Sequence, residues 1–151
     1  MRITILILFA LLIWNVTLAQ DEIDSDIFPN PVFVTPDPPK AIKGWEMTEM
    51  EGVDILVGQH PAKILKFEFQ GNAVGIEVLS NSASGIIEFS VDDQSWTKKD
   101  LFTDGEEKIQ FITLEPDLKQ GKHMLQLRLS KERNVNSEGK KCMLKSFYLN
   151  D

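Results

Sequence analysis

The stretch GIIEFSVDDQSWTKKDLF, residues 85–102, decides the fold. Ile87, Phe89 and Val91 alternate with Glu88 and Ser90, so a strand built on them has one apolar face and one polar face. Asp92 and Asp93 follow at once. Short carboxylate side chains bond their own backbone and tolerate left-handed φ, which is what a tight turn needs. A polar run carrying Trp96 then leads back. Strand, turn and returning strand make an antiparallel hairpin whose two faces meet different surroundings.

The same alternation recurs on both sides of this hairpin. Leu65, Phe67 and Phe69 are interleaved with Lys66 and Glu68, and Val74, Ile76 and Val78 with Gly75 and Glu77. Further on, Ile109 and Phe111 form a short run, Leu125, Leu127 and Leu129 flank Gln126 and Arg128, and residues 144–149 form the last run. Each run has one face to bury and one to leave wet. Turn-forming residues separate them at 70–72, 81–85, 104–105, 119–121 and 134–139. Helical periodicity is sustained nowhere, and no internal repeat is visible. Seven to nine short strands at this spacing predict an all-β chain, an antiparallel two-sheet β-sandwich or jelly roll, over residues 45–151.

Ahead of that domain stand two segments of different character. Residues 1–19 read as a secretory signal: Arg2 is the sole charge, Ile3 to Ile13 is apolar, and Thr17 and Ala19 set up cleavage before Gln20. The apolar core is short for a membrane span, so none is expected after cleavage, and the location expected is periplasmic or secreted. Residues 20–44 are acidic and then proline-rich, with Pro29, Pro31, Pro36, Pro38 and Pro39. They read either as a semi-rigid spacer or as an arm packed through Ile27, Phe28, Val32 and Phe33.

The chain carries 16 Lys and Arg, one of them Arg2, against 23 Asp and Glu. Without residues 1–19 its net charge is therefore −8. Such a surface repels phosphate backbones and anionic lipid, which argues against nucleic acid as a partner. A single cysteine, Cys142, excludes an intrachain disulfide, and its strand-like neighbours suggest a small buried hydrophobe.

No G-x-S-x-G elbow or Gly-Asp-Ser block marks a serine nucleophile. His60 and His123 read as surface or strand-edge residues, and two histidines with one cysteine make a transition-metal site of ordinary ligand count unexpected. No cofactor is expected. Calcium is the metal to consider, since the oxygen-rich run 134–139 offers ligands, but a solvated turn is the preferred reading of that run. The aromatics bear more on binding. Sugar rings present C–H faces to aromatic planes while carboxylates and amides take the hydroxyls. Trp96 with Asp92, Asp93 and Asn81, and Trp45 at the start of the domain, are the candidate ligand contacts. Each has a structural alternative: turn chemistry for the aspartates, core packing for the tryptophans.

At GNAVGIEV (71–78), GIIEFSVDDQSWTKKDLF (85–102), GKHMLQLRLS (121–130) and NVNSEGKKCMLKSFYLN (134–150), the chain resembles the non-catalytic β-sandwich domain of bacterial SGNH/GDSL-type hydrolases. The resemblance covers about residues 52–150. It implies a galactose-binding-like or jelly-roll fold, export, and a partner catalytic domain acting on carbohydrate esters. Two departures stand out. Polar Asp104 to Glu107 occupies the place of a tryptophan-rich stretch in the family, and residues 81–84 lack the expected acidic residue. The catalytic serine and Asp-x-x-His blocks are also missing from these 151 residues.

The function expected is therefore an exported, non-enzymatic module that binds carbohydrate. The alternative is an interaction subunit of a separately encoded SGNH/GDSL esterase. An enzyme in its own right and a decayed piece of a larger hydrolase are the remaining readings.

Overall fold

Alternating strands with one apolar face each bury those faces by pairing into two sheets and stacking the sheets, and this chain does so. The computed structural model describes residues 22–37 and 42–150; the signal expected over residues 1–19 and residues 38–41 of the arm lie outside the described residues. Its strands are β1 (Val32–Val34), β2 (Trp45–Met50), β3 (Val53–Gln59), β4 (Leu65–Gly71), β5 (Ala73–Ser80), β6 (Ile86–Val91), β7 (Thr97–Asp100), β8 (Lys108–Glu115), β9 (Gly121–Leu129) and β10 (Lys141–Asn150). Sheet A runs β2-β3-β10-β5-β8 with β1 also paired to β10, and sheet B runs β4-β9-β6-β7. All strand pairs are antiparallel. The protein is an all-β, two-sheet sandwich. No helix among the described residues is long and apolar enough to cross a membrane.

The core lies between the sheets. Leu56, Ile76, Val78, Leu144 and Phe147 of sheet A meet Leu65, Ile87, Leu125 and Leu127 of sheet B. Phe67 stacks on Phe147 with ring centroids 3.9 Å apart, a direct aromatic contact across the layers. Cys142 is fully buried, and desolvation pushes its thiol up to about 12, so it behaves as a hydrophobe at neutral pH. Trp45 closes one end of the core. Its indole N–H donates to the Lys63 carbonyl at 2.8 Å, and the ring lies so close to Gly58 that a Cβ there would sit 2.6 Å from it.

The structure has ten strands among its described residues, where the pattern predicts seven to nine. One of the additional strands, β1, lies in the proline-rich segment. Val32, Phe33 and Val34 pair with Leu149, Tyr148 and Phe147 of β10. Phe28 is 1% exposed and meets Tyr148 edge-on at 4.8 Å. The described residues of this segment pack on the sandwich through Phe28 and the β1–β10 pairing, while the side chains of Val32 and Phe33 stay about half exposed.

That arm changes the reading of β5. A wet outer face is expected for Gly75 and Glu77, but β5 is buried on both faces. Tyr148 lies over Gly75, where a Cβ would come 2.1 Å from its ring, and Phe28 covers Tyr148 in turn. Covering both faces turns β5 into a central strand, whose outward positions no longer need to be polar.

Replacing Phe28 by Ala is expected to destabilise the fold by about 3 kcal/mol, the scale of a large aromatic lost from a buried site. Denaturant midpoints of the two proteins measure this. An unchanged midpoint would mean that residues 22–37 contribute nothing to stability.

Candidate functional site

Strand register assembles the outer face of sheet B. On β6 and β9 the apolar positions point inward, so Glu88, Ser90, Gln126 and Arg128 point out. Glu88 stands opposite Arg128 on one side and Lys98 on the other, and Ser90 opposite Gln126. Glu88 bonds its partner Arg128 across the ladder and Ser130 beyond it. Arg128 Nε donates to Glu88 Oε2 at 2.6 Å, and Ser130 Oγ donates to Glu88 Oε1 at 3.0 Å. Burial pulls Glu88 upward, but the hydrogen bonds from Arg128 and Ser130 outweigh it and leave its pKa lowered, so it is a carboxylate at neutral pH.

Trp96 follows the β6–β7 turn and comes to rest on this network. The Arg128 guanidinium carbon is 3.9 Å from the indole centroid, a cation–π contact. One ring face thus lies on a cation while the side chain stays partly exposed. Arg128 and Glu88 also line a cleft of about 540 Å³, bordered by Ser130, Glu132, His60 and Pro61. An aromatic plate therefore adjoins a polar cleft, with Arg128 common to both.

The turn that carries Trp96 is pinned down. Asp92 and Asp93 have φ of 51° and 57°, and Gln94 N–H donates to the Val91 carbonyl at 3.1 Å. Two successive left-handed residues match the twist of a hairpin. Asp92 Oδ1 accepts from the Met124 N–H at 2.9 Å, and its Oδ2 lies 2.6 Å from His123 Nδ1. His123 Nε2 lies 2.7 Å from the Lys119 carbonyl oxygen. Both partners of the ring are acceptors, so the arrangement favours the imidazolium, in which both nitrogens donate. In keeping with this, the hydrogen bond to Asp92 raises the pKa of His123, and the bond from His123 lowers that of Asp92. Asp93 accepts from the Gln126 amide.

The structure divides the residues singled out from sequence. Asp92, Asp93 and Trp96 come together at one end of β6, the aspartates as the clasp and Trp96 as the plate. Asn81 lies at the other end, where its Oδ1 accepts from Ala83 N–H at 2.9 Å and its Nδ2 donates to Glu107 at 3.0 Å. Trp45 is 6% exposed and packs within the core, away from Trp96. The run 134–139 stitches loops together: Asn134 Nδ2 donates to Asp100 at 2.7 Å, and Ser137 Oγ donates to the Ser84 carbonyl at 2.7 Å. Among the described residues, no group of three His, Cys, Asp or Glu gathers as metal ligands would. Arg128, Glu88 and Ser130 escape a reading from sequence, although the outward phase of β6 and β9 marks the first two.

A two-sheet antiparallel sandwich with an aromatic plate on one face is the class that these observations define. Neither a family model nor a curated protein matches the chain. Among solved structures it is similar to a two-domain esterase (CEX) active on acetylated mannans, at 12% identity and a TM-score of 0.66. It is also similar to a Paenibacillus xanthan lyase, at 20% identity and 0.61, and to an exo-β-1,3-galactanase from Phanerochaete chrysosporium, at 8% and 0.55. The matches cover 86%, 82% and 78% of this chain but only 38%, 13% and 29% of those proteins. At these identities the likeness shows the fold. All three relatives are carbohydrate-active proteins.

A charged His123 bridge has a definite pH signature. The raised His123 pKa means that its contribution is complete below the unfolded value of about 6.5 and fades as pH rises through the folded value. The lowered Asp92 pKa means a second fading as pH falls through that value. Imidazole resonances followed by NMR are expected to give His123 a midpoint above about 6.5. The stability advantage of wild type over His123→Gln is expected to shrink on the alkaline side. An ordinary or depressed midpoint would remove the bridge.

Proposed function

We propose that the protein is an exported, non-enzymatic carbohydrate-binding module that lays a glycan across the outer face of sheet B. The observation that carries this reading is Trp96 held flat on Arg128 beside the cleft of Glu88 and Ser130. A pyranose stacks its C–H face on the indole. Arg128 and Gln126 donate to ring and hydroxyl oxygens, and the Glu88 carboxylate accepts from hydroxyls. Because the plate is already clamped by the guanidinium and the turn by His123, little side-chain freedom is lost on binding. The full pairing of His123 and the burial of Cys142 support a structural role for the two side chains that would otherwise suggest catalysis.

The fold supports the carbohydrate class through its similarity to carbohydrate-active proteins. It also keeps a second reading open: an accessory lobe of a separately encoded SGNH/GDSL-type carbohydrate esterase. The observation behind this is that the similar mannan esterase has two domains and this chain corresponds to 38% of its length.

Trp96→Ala decides the first reading. Affinity for a bound glycan, from a panel including acetylated mannans and xylans, is expected to fall at least about tenfold, which is ~1.4 kcal/mol. Stability is expected to fall by less than ~1 kcal/mol, the scale of an exposed cation–π contact. A large loss of stability would make Trp96 a packing residue. Folded wild-type protein that ignores the whole panel would overturn glycan binding and leave the accessory lobe.

A further inference from the structure

The opposite face of the sandwich has a groove that the fold does not need. β10 changes partners along its length, pairing with β3 over its residues 141–144 and with β1 over its residues 147–149. Between these segments β10 bulges, with the register shifting between Leu144 and Ser146. Bulges re-aim side chains and often accompany binding sites. Here the start of β3 and the arm diverge, opening a groove of about 530 Å³.

The floor of the groove is charged. Glu77 is 5% exposed, and the bulge aims two donors at it: Lys145 Nζ reaches Oε1 at 2.6 Å, and Ser146 Oγ donates to Oε2 at 2.6 Å. The walls are apolar. Phe33, 49% exposed, and Val53 stand on the two sides, with Phe111 beside the carboxylate as its cross-strand partner. Stability does not call for this arrangement, because an apolar residue in place of a buried ion pair is commonly neutral or better. Neighbouring outward positions on β5 and β10, such as Leu79 and Tyr148, are of that kind.

We infer that this groove is a second sugar subsite, specific for a neutral pyranose presenting a vicinal diol. A carboxylate accepts roughly four hydrogen bonds and an ammonium donates three. The contacts above use two of the first and one of the second. Acceptor and donor lie side by side, so Glu77 accepts a hydrogen bond from one hydroxyl while Lys145 donates to the oxygen of its neighbour. Phe33 meets the C–H face of the ring. Asp54 also lines the groove, and with Glu77 it outweighs Lys145, which disfavours anionic sugars. The inference rests on the reading of the protein as a glycan binder. It makes that binder two-faced, able to bridge two polysaccharide strands.

NMR titration of the folded protein with mannopentaose and with neutral xylo- and cello-oligosaccharides separates the two faces. Backbone resonances of Lys145 and Ser146 report the groove, and the Trp96 indole N–H reports sheet B. Saturable shifts at both are expected. Phe33→Ala and Glu77→Gln should weaken the groove shifts at least about tenfold, and Trp96→Ala should leave them intact. Phe33 is half-exposed, so its replacement tests the groove even if Glu77→Gln disturbs the strand. Shifts at Trp96 alone would overturn the second subsite and spare the proposed function. Shifts in the groove alone would uphold the subsite and overturn sheet B as a binding face. No shift at either would overturn both.

Discussion

The whole sandwich depends on the pairing of β10. This strand lies between β5 and β3, accepts β1 as well, and sends Leu144, Phe147 and Leu149 into the space between the sheets. Its partners come from far earlier in the chain, and such long-range pairing carries a loop-closure cost that is recovered only once the core has formed. With no disulfide to restrain the unfolded chain, this closure rests on apolar burial, backbone hydrogen bonds and the side-chain bonds of Lys145 and Ser146 to Glu77. The Phe67–Phe147 stack ties the closed sheet A to sheet B.

Both faces derive from the same inner skeleton but obtain their character differently. On sheet B, strict alternation leaves polar residues outward, and cross-strand register turns them into the Glu88–Arg128–Ser130 network beneath Trp96. On sheet A, the arm covers part of the outer surface, and the bulge at Lys145 breaks the alternation. One face is thus made by regularity and the other by a single irregularity in β10.

Local sequence carries much of the fold. Alternation placed β4, β5, β6 and β9, and the two aspartates announced the turn, because side-chain period and turn chemistry are properties of neighbouring residues. Burial of Glu77 was not legible in this way, since it depends on Phe111, Lys145 and Ser146, which come from strands far along the chain. The clasp between Asp92 and His123 joins residues 31 apart in sequence, and nothing near either one announces it. Two of the tryptophans show the same limit. Trp45 and Trp96 both follow turn-like residues, yet Gly58 makes room for the first in the core and Arg128 props up the second outside. Asn81 looked like a loop contact but lies a full strand away from Trp96, a distance set by the length of β6.

β1 has a consequence for how copies of this chain meet one another. Exposed strand edges invite another chain to continue the sheet. β1 is three residues long and sits between Pro31 and Pro36, each without an amide hydrogen. An incoming strand would find too few donors in line to extend the ladder. The arm thus covers the flank of β10 with an edge that is itself a poor template for a further strand.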